Sequence, residues 1–262
     1  MAIFLEMNEY MIIAAMLIIF LAATEIGFRS GRRRQSSEDE QTRFHITALQ
    51  GPLFGLLALM LGFTFSMALS RYEIRKELVL AESNAIGTAY LRARLLPEPH
   101  RSQIVRLLIA YVDTRLDFYN AGTDPVRIAA ANANATQMQQ QLWTVAITMS
   151  ELDTRSVPLG LFVQSLNAAF DLDADRSQAL QNHVPQPVLA LVSIIATVAL
   201  SFIGHGCGLH GCRHFVSTAL VSLLLALVLA VILDLDLPRQ GLIKIKQDSM
   251  ISLQEILRQA GP

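Results

Sequence analysis

The run Val188 to Gly204, VLALVSIIATVALSFIG, contains no charged residue. Neither does Phe215 to Leu233, FVSTALVSLLLALVLAVIL, nor Leu49 to Leu69, LQGPLFGLLALMLGFTFSMAL, while Tyr10 to Phe28 carries only Glu25. About 20 apolar residues in a helix cross the roughly 30 Å hydrocarbon layer, and in that layer the backbone must satisfy its own hydrogen bonds. With 52% of the 262 residues hydrophobic and 16% charged, four such runs leave too little polar face for the buried helices of a water-soluble domain. The expected fold is an all-α integral membrane protein with four transmembrane helices, at about residues 10–28, 49–69, 188–204 and 215–233. The first run has Glu6 and Glu9 ahead of it and no Lys or Arg, so it is expected to be a retained anchor rather than a cleaved signal peptide.

Residues 70–186, between the second and third runs, show helical spacing. Ile74, Leu78, Ala81, Ala85, Thr88 and Leu95 carry the second membrane helix onward as a rod to Leu96, where PEPH breaks it. Ile104, Leu107, Leu108, Tyr111, Leu116 and Tyr119 mark a second helix, ended by NAGTDP. Met138, Leu142, Val145, Met149 and Leu152 mark a third; Leu159, Phe162, Val163, Leu166 and Phe170 mark a fourth, which leads through HVPQP into the next membrane run. Four amphipathic helices predict an antiparallel extramembrane bundle inserted between membrane helices two and three. Residues 1–69 and 187–233 would form two transmembrane hairpins, and 234–262 a tail.

GHGCGLHGCRH, Gly204 to His214, can be spelled as a dinucleotide loop, a metal site or a turn. A dinucleotide loop needs a strand before it, and here membrane helices flank it. The spacings H-x-C and C-x₄-C can wrap a metal, but structural zinc sites use closer cysteine pairs. A turn in a helical hairpin accounts for the glycines, and no metal or cofactor is expected. DLDAD at Asp171 to Asp175 imitates a calcium loop but has Arg176 where the turn glycine belongs and Asn182 where the bidentate Glu should be. Asp234 and Asp236 form a carboxylate pair without a visible third group, so an interfacial role is favoured over a catalytic one. No nucleophile elbow, P-loop or H-E-x-x-H occurs, and no enzymatic activity is expected. A net charge of −1, with the one basic cluster, Arg29 and Arg32 to Arg34, beside a membrane helix, argues against nucleic acid as a partner.

The phrases SRYEIRKELVLAESNAIGTAYLRARLLPEPHR, NHVPQPVLAL and LDLDLPRQGLIKI resemble the bestrophin-like domain family of bacterial membrane proteins. The likeness runs from about Leu49 into the C-terminal region and is strongest at Glu82, Asn84, Ala85, Ile86, Gly87, Tyr90, Leu91 and Arg92. It assigns no role to the motif residues Glu82, Asn84, Gly87, Tyr90 and Arg92. It does imply a distant relation to bestrophins, pentameric anion channels.

That relation directs attention to the second membrane helix. Gly51, Gly55, Ala58, Gly62 and Ser66 place small side chains along one face, which either packs closely or faces a pore. In the pore reading Gly55, Gly62, Phe63, Ser66 and Met67 line the path, with Phe63 and Met67 as an apolar constriction that gates by dewetting. The expected function is then a homo-oligomeric ion channel in the bacterial inner membrane, with the lipid bilayer, further copies of itself and chloride or another small anion as partners. The alternative is a membrane-anchored sensory or scaffold protein whose bundle binds a partner.

The first loop carries five Arg, counting Arg43, and the N-terminal tail none, which favours a cytoplasmic first loop and a cytoplasmic hairpin at Cys207 and Cys212. Bestrophins run the other way, with the insertion and both termini in the cytoplasm. On the arginine count, a membrane-impermeant thiol reagent should label Cys207 and Cys212 only after cell lysis; labelling of intact cells would reverse the orientation.

Overall fold

A computed structural model of the chain describes residues 9–239 and 241–260; Glu6 lies outside them. The described residues form eight helices and no strand: α1 (Glu9–Arg34), α2 (Glu40–Ala93), α3 (His100–Asn120), α4 (Pro125–Leu152), α5 (Val157–Gln181), α6 (Gln186–Leu209), α7 (Phe215–Asp236) and α8 (Asp248–Ala260). The apolar stretches of α1, α2, α6 and α7 are long enough to cross a membrane. The protein is an all-α integral membrane protein, with a helical bundle inserted between its second and third membrane helices.

Two compact units divide the chain. The first takes the chain up to Arg71 with His183–Leu237 and Gly241–Ile243, and holds α1, α6, α7 and the first part of α2. Helix α1 lies against both α6 and α7. Its contact with α6 is made by backbone. A Cβ on Gly27 would fall on the Ser201 carbonyl, one on Gly31 on the His205 carbonyl, one on Gly204 on the Thr24 carbonyl and one on Gly208 on the Phe28 carbonyl, all inside the 3.0 Å that real Cβ atoms keep. Two G-x-x-x-G pairs, one on each helix, thus interleave. Such packing needs helical glycines on both sides, so α6 does not end at Gly204 but runs on to Leu209, and the expected turn shrinks to residues 210–214. There only Gly211 takes positive φ, at 71°.

Glu25, the one charge in the first run, is paired at 2.8 Å with both Arg29 and Arg213. Arg32, Arg33 and Arg34 fill the last turn of α1, where cations meet the negative helix end. On α2, Leu57, Thr64 and Ala68 are buried at seven- and four-residue spacing, and Gln50 Nε2 donates to the Phe202 carbonyl at 2.9 Å.

The second unit takes Tyr72–Asn182, residues 238–240 and the chain from Lys244. One apolar core joins Ile86, Ala89, Tyr90 and Ala93 of α2 with Ile104, Leu108 and Val112 of α3, Leu142 and Met149 of α4, and Phe162 and Leu166 of α5. The expected breaks have visible causes. The rod expected to Leu96 ends at Ala93, and residues 94–99, with Pro97 and Pro99, separate α2 from α3. Asp124 caps α4 by accepting from the Val126 and Arg127 N–H groups, with Pro125 in the first turn, and Ser156 caps α5 the same way through Leu159 N–H.

The stretch expected as a tail, 234–262, contains α8, a fifth member of this core. Met250, Leu253 and Leu257 are buried in it at three- and four-residue spacing, and Arg258 and Gln254 both reach Asp113, at 2.9 and 2.6 Å.

Because backbone cannot yield to an added side chain, Gly204→Ala should lower stability by about 3 kcal/mol or more. Gly55, which has nothing within 4 Å of its Cβ position, should tolerate Gly55→Ala or gain up to about 1 kcal/mol from helix propensity. Thermal unfolding of both variants in detergent checks the contrast.

Candidate functional site

Two features of the structure carry chemistry, one in each unit. In the first, the outer face of α2 is open. Gly55, Gly62, Phe63, Ser66 and Met67 are all exposed, Phe63 to 60%. They do not share one line. Gly55, Gly62 and Ser66 fall within about 40° of each other, whereas Phe63 and Met67 form a second row about 100° further round the helix. Thr64, on the opposite side, is buried and donates to the Met60 carbonyl at 2.7 Å.

The second unit holds a buried ionic cluster. Glu82 on α2 is fully buried and shared: Oε1 accepts from Arg115 Nε and Oε2 from Arg176 Nη1, both at 2.5 Å. Arg115 also meets Asp173 Oδ1 at 2.5 Å, and Arg176 Nη2 donates to Gln247 Oε1 at 2.5 Å. Asp173 Oδ2 accepts from Tyr111 Oη at 3.2 Å and from Gln139 Nε2 at 2.7 Å. A single carboxylate thus ties α2 to α3 and α5, and Gln247 adds the segment leading into α8.

Burial penalises the Arg115 charge, but Glu82 and Asp173 outweigh it and hold the guanidinium above its usual range. Burial raises the Asp173 carboxyl despite Arg115 beside it, and burial together with the Asp173 charge pushes the Tyr111 phenol up. The cluster is a tie between helices.

The family-motif residues divide accordingly. Glu82 is the centre of the cluster. Tyr90 is buried in the apolar core, and Gly87 admits Leu253 of α8, whose Cδ1 lies 3.4 Å from its Cβ position. Arg92 Nη1 donates to the Leu161 carbonyl at 2.6 Å, which links α2 to α5, and the Asn84 side chain is exposed. Arg115 and Arg176 were not legible as partners of Glu82, because they lie 33 and 94 positions away in sequence and charge complementarity alone does not pair them. DLDAD is helical inside α5, so its carboxylates cannot wrap a calcium ion, and the misplaced Arg176 is the partner of Glu82.

Asp234 and Asp236 serve the backbone. Asp234 accepts from the Leu242 and Ile243 N–H groups, and Asp236 from Val184 N–H, each at 2.9 Å. Cys207 and Cys212 are free thiols, and among the described residues no group of three or more His, Cys, Asp or Glu side chains could hold a metal ion.

A family model described as the Bestrophin-like domain matches residues 15–250. The chain belongs to the Bestrophin-like family. Its fold is shared with solved bestrophin homologues. A bacterial bestrophin homologue from Klebsiella pneumoniae has a TM-score of 0.71 at 18% identity, covering 94% of this chain and 97% of that one. A single-residue variant of a homologue from the same organism gives 0.71 at 16% identity over 94% and 98%, and a structure described as a membrane protein gives 0.69 at 17% over 95% and 100%. At these identities the likeness establishes the fold. No match was found among curated proteins.

Glu82→Ala should cost about 3–5 kcal/mol, because it strands two buried guanidinium groups. Asp113→Asn, which removes the charge from the exposed pair with Arg258 and keeps an oxygen for Gln254, should cost under about 1 kcal/mol. Equal melting temperatures for the two variants would remove the structural role assigned to Glu82.

Proposed function

We propose that this Bestrophin-like protein is a homo-oligomeric ion channel of the bacterial inner membrane, selective for anions over cations, with α2 lining the pore. The observation that carries this reading is the open face of α2. Glycine inside a helix is unfavourable by about 1 kcal/mol relative to alanine, and this chain uses Gly27, Gly31, Gly204 and Gly208 for close backbone packing. Gly51, Gly55 and Gly62 have nothing within 4 Å of their Cβ positions. A second copy gives them the same use, since small faces let helices approach closely in lipid.

The two rows of α2 then have different tasks. With Gly55, Gly62 and Ser66 against a neighbouring subunit, Phe63 and Met67 turn toward a symmetry axis, where one ring from each copy narrows an apolar passage. A cation path uses rings of available carboxylates, and here Glu25 is held by arginines while Asp234 and Asp236 accept from backbone N–H groups. Together with the family relation, this favours small anions such as chloride.

Phe63→Ala should raise chloride flux from protein-loaded liposomes several-fold, about the effect of removing a dewetting barrier of 1 kcal/mol, and leave helicity and oligomeric size unchanged. If Phe63 only packs, truncation instead lowers the melting temperature and opens no path. Wild-type and variant liposomes as tight as empty ones would end the channel reading and leave partner binding by the bundle ahead.

A further inference from the structure

The second unit contains a small recess that the channel reading does not use. Arg75, Arg176 and Arg239 line it with Tyr119, and Val79, Phe118 and Ile245 close its apolar walls. Two of the four guanidinium groups in this region have carboxylate partners, and a third has two carbonyl acceptors. Arg115 and Arg176 have Glu82 and Asp173, and Arg75 donates to the Ala179 and Asn182 carbonyls at 3.0 and 2.8 Å, at the C-terminal end of α5. Arg239 is different. Its Nη1 donates to the Gly122 carbonyl at 3.0 Å and its guanidinium stacks on Phe118, 4.2 Å from the ring centroid, but among the described residues no carboxylate pairs with it.

A carbonyl and a ring face offset part of a half-buried charge, and leave the rest to be met by something else. Burial, with the Arg176 and Arg115 charges, pulls Arg239 below its usual range, so the protein itself places cations around it. Tyr119 points the same way. It sits within the influence of both Arg176 and Arg239, and among the described residues its hydroxyl has no hydrogen-bond partner. A hydroxyl and a guanidinium with donors to spare, on a dry-walled recess and under positive potential, form a receptor for negative charge. The recess is small, with room for about one water-sized group, so among anions it favours a monatomic halide over a phosphate ester or a carboxylate-bearing metabolite.

We propose that this recess is a halide-binding site, with Arg239 and Tyr119 as the direct ligands and Arg176 supplying field from behind its Glu82 pair. It is a site within the bundle unit and does not rest on the pore assigned to α2. Its occupancy joins the segment at Arg239 to α3, so chloride concentration adjusts how firmly that segment is held.

The test uses the full chain in detergent at constant ionic strength, with sodium chloride or bromide exchanged for sodium gluconate. Halide should raise the melting temperature by about 3 °C in a saturable manner. Arg239→Gln and Tyr119→Phe should each reduce that rise to under about 1 °C, while Phe63→Ala keeps it in full, which separates this site from the channel proposal. Bromide-soaked crystals of the unmutated protein should show an anomalous peak between Arg239 and Tyr119. An empty or water-filled recess in those crystals, or a full halide response in Tyr119→Phe and Arg239→Gln, would overturn the proposal; the crystal result stands even if Arg239→Gln does not fold.

Discussion

The first unit depends on how close two backbones can come. In lipid there is no gain from hiding apolar side chains between helices, since the acyl chains are as apolar as leucine, and association draws on dispersion and on hydrogen bonding at short range. Gly27 and Gly31 on α1, interleaved with Gly204 and Gly208 on α6, supply that range. Other features follow from the contact. It keeps α6 helical past the end of its hydrophobic run, confines the turn to residues around Gly211, and sets α1 where Glu25 meets Arg213. The one charge in the first run is thereby paired with two arginines.

The second unit solves the opposite problem. It gathers apolar side chains into one core, from α2, α3, α4, α5 and α8. Within that unit Glu82, Arg115, Arg176 and Asp173 are bound in a chain of charge-assisted bonds. Such a cluster adds less net stability than its Coulomb energy implies, because four desolvated charges oppose it. What it adds is discrimination: a helix shifted by one turn would leave a guanidinium without its carboxylate, so register is enforced where an apolar core alone would tolerate slippage.

How much of this was legible follows the range of each signal. The four membrane helices and the helical insertion between the second and third are local patterns and were legible as such, although the rod expected to Leu96 ends at Ala93 and the helix expected to end at Gly204 runs on to Leu209. The family phrase around Glu82 stood out for the same reason, although its role did not. Signals that require two distant segments were missed. TEIGFRSG and GHGCG each hold a G-x-x-x-G pair, but only their meeting makes either one a contact, and GHGCG taken alone has the composition of a turn. DLDAD resembled a loop because acidic residues are common in loops, whereas Leu166, Ala169 and Arg176 are the inward face of a helix that passes through it. Met250, Leu253 and Leu257 had the spacing to reveal α8; the polar residues between them concealed an amphipathic face whose partner lies far upstream in sequence.

The place of α8 in the chain governs the order in which the protein can be made. The ribosome releases α3, α4 and α5 before α6 and α7, and α8 after all of them. A core that needs Met250, Leu253 and Leu257 is unfinished for as long as the two later membrane helices are being inserted, and its last wall arrives from the end of the described chain. During that interval the surfaces around Gly87 and Asp113 await a helix that does not yet exist. A nascent chain in this state exposes apolar surface of the kind that draws chaperones or aggregates. Biogenesis of this protein is therefore timed by α8, and the rate of elongation through α6 and α7 sets how long the bundle stands open.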